Sequence, residues 1–204
     1  MNLPTKITVV RLILTVLILL LLCIPFSYFG FNFPKYDFYG VPVELNCIIA
    51  GVIFIIASLT DFLDGYLARK NNQVTDLGKM LDAIADKVLV SPVLIVLAAK
   101  GFIPVIIPVI YITRDIVVDA IKMQAAKNGK VQAAIKSGKY KTAFMMIGLS
   151  LTFFYNIPFE FINIRVDLGL LYLACILSIV SAYEYYKINK ELIFKNSESW
   201  FFRY

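Results

Sequence analysis

The chain contains no histidine. That absence removes the imidazole as base, nucleophile or ligand, and with it Ser-His-Asp hydrolysis, histidine-built zinc sites and phosphohistidine chemistry. Any proton carrier must be a carboxylate, Lys, Tyr or Cys. Cysteine is scarce too. Cys23, Cys47 and Cys175 each sit in an apolar run, far apart and without CxxC spacing. Neither a disulfide framework nor a metal knuckle fits that pattern, and the three read as small apolar packers. Charge is the third shortage. Only 17% of the 204 residues are charged and 60% are hydrophobic, with a mean hydropathy of +0.78. Soluble domains carry about 25% charged and about 45–50% apolar residues. Too little polar surface remains to coat a globule in water, so the composition points to an integral membrane protein.

Crossing a bilayer takes about 20 apolar residues, or 17–25 with tilt. Six runs qualify, near 6–28, 46–68, 79–99, 102–126, 139–157 and 167–187. The first is too long for the apolar part of a cleaved signal, and no small-residue cleavage pattern follows Cys23-Ile24-Pro25. An even count puts both termini on one side. Of the 20 basic residues, only Lys35, Lys100 and Arg165 fall after spans one, three and five. The other 17 mark the cytoplasmic side. The fold class expected is therefore all-α, a polytopic membrane protein of six transmembrane helices with both termini cytoplasmic. No repeat, linker or soluble segment divides residues 1–204, which read as a single membrane domain. The aromatic stretch from Tyr28 to Tyr39 and the tail from Trp200 to Tyr204 read as interfacial anchors.

Chemistry concentrates between Asp61 and Asp86. Asp61 and Asp64 lie three residues apart and Asp82 and Asp86 four apart, so each pair shares a helix face. Both pairs stand at the ends of apolar helices, where charge is costly and a functional site is the default reading. Eight residues separate Arg69 from Gly78. That link lets the two helices return as an antiparallel pair whose acidic faces meet. Four converging carboxylates stay ionised only beside cations. An all-oxygen ligand set favours Mg²⁺, Mn²⁺ or Ca²⁺, and two divalent ions balance four Asp charges in a manner suited to phosphoryl chemistry. Gly65, Ala68 and Gly78 remove bulk beside those faces, and Arg69 lies one turn past Asp64 where it could pair with a phosphate.

The stretch resembles the signature of the CDP-alcohol phosphotransferases, Asp-x2-Asp-Gly-x2-Ala-Arg-x8-Gly-x3-Asp-x3-Asp. All its fixed positions match: Asp61, Asp64, Gly65, Ala68, Arg69, Gly78, Asp82 and Asp86. The opening Asn2 to Arg11 and the stretch Lys136 to Thr142 are similar to bacterial members of the glycerol 3-phosphate branch. The resemblance implies that Asp61, Asp64, Asp82 and Asp86 hold a divalent metal pair, Mg²⁺ with Mn²⁺ as a substitute. It implies that Asp86 is also the base that deprotonates the acceptor hydroxyl. Gly65, Ala68, Arg69, Thr75 and Gly78 would surround the CDP part of CDP-diacylglycerol, the phosphatidyl donor. It implies further a homodimer in the bacterial cytoplasmic (inner) membrane, with the site facing the cytoplasm and no nucleic-acid partner.

The signature does not name the acceptor. A basic stretch from Arg114 to Lys141 suits a phosphorylated one such as glycerol 3-phosphate, with Arg114, Lys136, Lys139 and Lys141 as its contacts. The same loop would be basic in any protein of this topology, and it could equally attract anionic lipids. Related synthases usually carry Arg-Glu and then a further Arg, where this chain has Arg114-Asp115, then Asp119 and Lys122. Inositol phosphate and phosphatidylglycerol stay open as acceptors. A divalent-cation transporter is the alternative from another class, and it would need acids near the midplane reachable from both faces.

Overall fold

The computed structural model describes residues 3–30, 33–38, 40–70, 76–128 and 135–195. In chain order these form α1 (Leu3–Cys23), a 3₁₀ turn (Phe26–Phe29), β1 (Lys35–Phe38), β2 (Val41–Glu44), α2 (Leu45–Lys70), α3 (Asp76–Ala99), α4 (Ile106–Lys127), α5 (Lys136–Phe153), a second 3₁₀ turn (Phe159–Ile162) and α6 (Val166–Lys195). Thr75 and the tail from Trp200 lie outside the described residues.

Each apolar run of the sequence becomes one helix, with ends set by local chemistry. The first run stops at Cys23 rather than at residue 28, because Pro25 disfavours helical backbone in the residue before it. α3 closes at a glycine. Gly101 takes φ +80°, its N–H bonds the Ala98 carbonyl at 3.0 Å, and the Phe102 N–H reaches back to Leu97 at 2.9 Å. Left-handed backbone with these paired bonds satisfies the orphan carbonyls of a helix end.

The first connection departs from the all-α expectation. Residues between Tyr28 and Tyr39, read as an aromatic anchor, contribute β1 to a short antiparallel ribbon with β2, in which Lys35 pairs with Glu44 and Phe38 with Val41. Asp37 Oδ1 accepts the Gly40 N–H at 2.7 Å while Gly40 sits at φ +85°, which makes the turn. Lys35 Nζ stands 2.8 Å from Glu44 Oε1, and that hydrogen bond raises the Lys35 pKa above the ordinary lysine value. The Glu44 N–H donates to the Tyr155 hydroxyl at 2.9 Å, which ties the ribbon to the α5–α6 turn.

Packing order is not sequence order. α1 packs against both α2 and α3, and each of these contacts α1 more extensively than it contacts the other. α6 packs in the same way against α4 and α5, and the α2–α5 and α3–α4 contacts join the two trios. One core runs through all six helices, from Ile18 and Phe54 through Leu89 and Leu94 to Ile107, Met145, Leu149 and Leu171. Two crossings depend on glycine. A Cβ on Gly51 would lie 2.7 Å from the Phe153 Cβ, and one on Gly148 would lie 2.9 Å from Leu171 Cδ2. Cys47 and Cys175 are buried, as apolar packers should be, whereas Cys23 is exposed.

Among the described residues, two helical segments, Thr5–Cys23 and Val166–Lys190, are long and apolar enough to cross a membrane, and α2 carries a shorter apolar stretch over Leu45–Asp61. The outward surface of the bundle is apolar as well, with Ile13, Ile95, Ile116, Ile176 and Ile179 all largely exposed.

Candidate active site

Asp61 stands near the end of α2, and Asp82 and Asp86 stand in the first half of α3. Oxygens of all three lie within 4.8 Å of one another. Asp61 of α2 and the two aspartates of α3 therefore meet, with α1 packed against both helices. The residue at that junction is Arg11. Its side chain is 0% exposed, and Nη1 lies 2.7 Å from Asp61 Oδ1, 3.2 Å from Asp82 Oδ1 and 3.4 Å from Asp86 Oδ1. Sequence reasoning missed Arg11. The signal was available: an arginine in an apolar membrane-length helix is as costly as an aspartate there.

The remaining signature residues are placed by the backbone. Asp64, Gly65, Ala68 and Arg69 occupy the last turns of α2, with side chains outside the described set, and Gly78 lies half-buried in the first turn of α3. Asp64 follows Asp61 by one helical turn and so shares its face.

Asp61 and Asp86 open into a cavity of about 1270 Å³. Its opposite wall comes from α4 and α5 and carries Arg114, Lys122, Lys139 and Lys141, while Lys87 adds a fifth cation beside Asp86. Two carboxylates, Asp115 and Asp119, face these cations. Much of the remaining lining is apolar, including Ile55, Leu59, Val90, Met146, Ile147 and Phe154.

Arg114, Lys141, Lys122 and Lys87 are each held by a partner. Arg114 Nη1 donates to Asp115 Oδ1 at 2.7 Å, its Nε donates to the Ser178 carbonyl at 2.9 Å, and its Nη2 donates to the Ser181 hydroxyl. Lys141, only 4% exposed, reaches the same Asp115 oxygen at 2.6 Å and lies 3.9 Å over the Tyr111 ring. Lys122 stands 4.9 Å over the Tyr185 ring. Asp119, an awkward negative charge in the sequence, pairs with Lys87 across the α3–α4 contact. Of the proposed acceptor contacts, Arg114, Lys139 and Lys141 share the cavity, while Lys136 begins α5 with its side chain outside the described set.

The donor set suits a divalent ion. It is all oxygen, it carries more negative charge than Arg11 neutralises, and a cationic nitrogen already stands among its members.

The chain is similar to known proteins along most of its length. The family model described as CDP-alcohol phosphatidyltransferase matches residues 1–180. A Bacillus subtilis (strain 168) protein named CDP-diacylglycerol–glycerol-3-phosphate 3-phosphatidyltransferase is 34% identical over 192 residues, covering 94% of this chain and 97% of the relative. A Haemophilus influenzae protein of the same name is 36% identical over 200 residues, covering 96% and 97%. A third, from Rickettsia bellii, is 33% identical over 192 residues, covering 93% and 96%. With a family match across most of its length and these relatives along nearly all of it, the chain belongs to the CDP-alcohol phosphatidyltransferase family.

Proposed function

We propose that this chain transfers the phosphatidyl group of CDP-diacylglycerol to glycerol 3-phosphate, giving phosphatidylglycerophosphate and CMP. The observation that carries the reading is one cavity lined by Asp61 and Asp86, by the cations Arg114, Lys122, Lys139 and Lys141, and by apolar side chains along much of the rest. A lipid nucleotide needs the first and third of these features, and a phosphorylated alcohol needs the second. The names of the relatives support the same donor and acceptor.

Asp61, Asp64, Asp82 and Asp86 would hold the metal, proposed as two Mg²⁺ ions with Mn²⁺ as substitute. Bound there, the ions would neutralise the diphosphate and stabilise the departing phosphate. Asp86 takes the proton from the acceptor hydroxyl. The freed oxygen attacks the phosphorus that bears the lipid, the bond from that phosphorus to the bridging diphosphate oxygen breaks, and CMP leaves with the bridging oxygen. Gly65, Ala68, Arg69, Thr75 and Gly78 would contact the CDP part. Arg114, Lys136, Lys139 and Lys141 bind the acceptor phosphate, with Asp115 fixing Arg114 and Lys141 in place.

The reading places all six helices across the bilayer of the bacterial cytoplasmic membrane, as one domain over residues 1–204, with both termini and the cavity on the cytoplasmic side. The basic asymmetry of the sequence and the apolar outer surface of the bundle support that placement. Homodimerisation is carried over from the family resemblance. Stripping the purified protein with EDTA should abolish CMP release, and Mg²⁺ should restore it. Full turnover after exhaustive chelation would refute the metal reading.

A further inference from the structure

α1 carries two charges, of which Lys6 is exposed and Arg11 fully buried. Between Val9 and Cys23 every other residue of the helix is apolar except Thr15. Because α1 lies against both α2 and α3, the guanidinium is closed off from water and its Nη1 faces Asp61, Asp82 and Asp86 together. A monovalent cation shared by three carboxylates relieves their repulsion only in part. The nitrogen also stands among the oxygens that a bridging ion would have to contact, so the guanidinium and an ion compete for the same ligands.

From this geometry we infer that Arg11 is the resident counter-cation of the carboxylate cluster, holding Asp61, Asp82 and Asp86 together until a divalent ion displaces it and so setting how tightly that ion binds. Arg11 is thus a positioning residue that acts through the three aspartates. The inference rests on the metal reading of the site given above. It adds a device: without an ion the site does not fly apart, and with one the displaced guanidinium stays buried beside it as an extra positive charge for an anionic donor.

The test uses the full chain in detergent, with Arg11→Met to remove the charge at similar length and Arg11→Lys to keep it on fewer donors. Mn²⁺ is the probe, titrated by the loss of its free electron-paramagnetic signal, and melting is followed in EDTA and in Mn²⁺. Arg11→Met should bind Mn²⁺ about tenfold tighter, since a competing charge a few ångströms away is gone. It should melt several degrees lower in EDTA and recover more than the wild type on adding Mn²⁺. Arg11→Lys should tighten binding by less, about threefold, and it carries the comparison if Arg11→Met does not fold. Variants that bind Mn²⁺ no tighter than a wild type that does bind it would overturn the role of Arg11 alone. A wild type that binds no Mn²⁺ would overturn both this inference and the metal reading.

Discussion

At the α5–α6 turn one buried carboxylate is surrounded by donors, while at the meeting of α1, α2 and α3 three carboxylates gather, among the described residues, around Arg11 Nη1. Asp167, 1% exposed, receives Arg165 Nε on Oδ1 and Nη2 on Oδ2, both at 3.0 Å, and Thr152 Oγ1 lies 3.4 Å from Oδ2. Its backbone N–H donates to Asn156 Oδ1, and the Asn156 amide donates to the Ile164 carbonyl at 2.7 Å. The Asp167 carboxylate in turn raises the Arg165 pKa above its ordinary value. Every strong charge there has its complement, so the cluster stitches the start of α6 to the end of α5. The Asp61, Asp82 and Asp86 group keeps an excess of negative charge that an added cation relieves. Residue types alone, Asp and Arg in both places, do not separate a structural cluster from a reactive one. The ratio of donors to carboxylates does.

Substitutions at the two clusters should therefore fail in different ways. The largest effect belongs to Asp86→Asn, which should lower CMP release by about 10²–10⁴-fold, the usual worth of a positioned general base. The same variant should melt no lower than the wild type in EDTA, because it removes a repelling charge. A variant that keeps near-normal turnover would end the assignment of Asp86 as base.

Next comes Arg114→Ala. Losing a charge-assisted contact to the acceptor phosphate should raise the KM for glycerol 3-phosphate about ten- to a hundredfold. The KM for CDP-diacylglycerol should change far less. An unchanged acceptor KM would put the phosphate pocket elsewhere in the cavity.

Asp167→Asn should show the opposite pattern. Weakening a satisfied buried network costs about 1–3 kcal/mol of stability, read as a lower melting temperature, while turnover per folded molecule holds. Loss of turnover in fully folded protein would erase the distinction between the two clusters. Gly51→Ala brings the smallest change to chemistry. Its new methyl meets the Phe153 Cβ, an atom fixed to the backbone rather than the end of a flexible chain, and overpacking of that kind costs about 1–3 kcal/mol.

The carboxylates were legible because helical spacing is local: three and four residues fix a shared face wherever the helix goes. The six helices were legible for a similar reason, since a predominantly apolar stretch runs through each of them. What stayed hidden depends on neighbours. Nothing in the order of the chain shows that α1 packs against both α2 and α3, so the place of Arg11 could not be read even though its cost could. Asp119 looked misplaced because Lys87, its counter-charge, lies 32 residues earlier on another helix. The β1–β2 ribbon was illegible in a different way, since strands of four residues give too short an alternation to stand out from an aromatic loop.

The most direct measurement is CMP release from CDP-diacylglycerol by the purified protein with Mg²⁺, run in parallel with glycerol 3-phosphate, inositol phosphate, free inositol, serine and phosphatidylglycerol. Release with glycerol 3-phosphate alone, with phosphatidylglycerophosphate as the lipid product, is the predicted result. Release driven by a different alcohol would keep the acidic site and contradict the reading of Arg114, Lys139 and Lys141. No release with any acceptor would contradict the transferase itself.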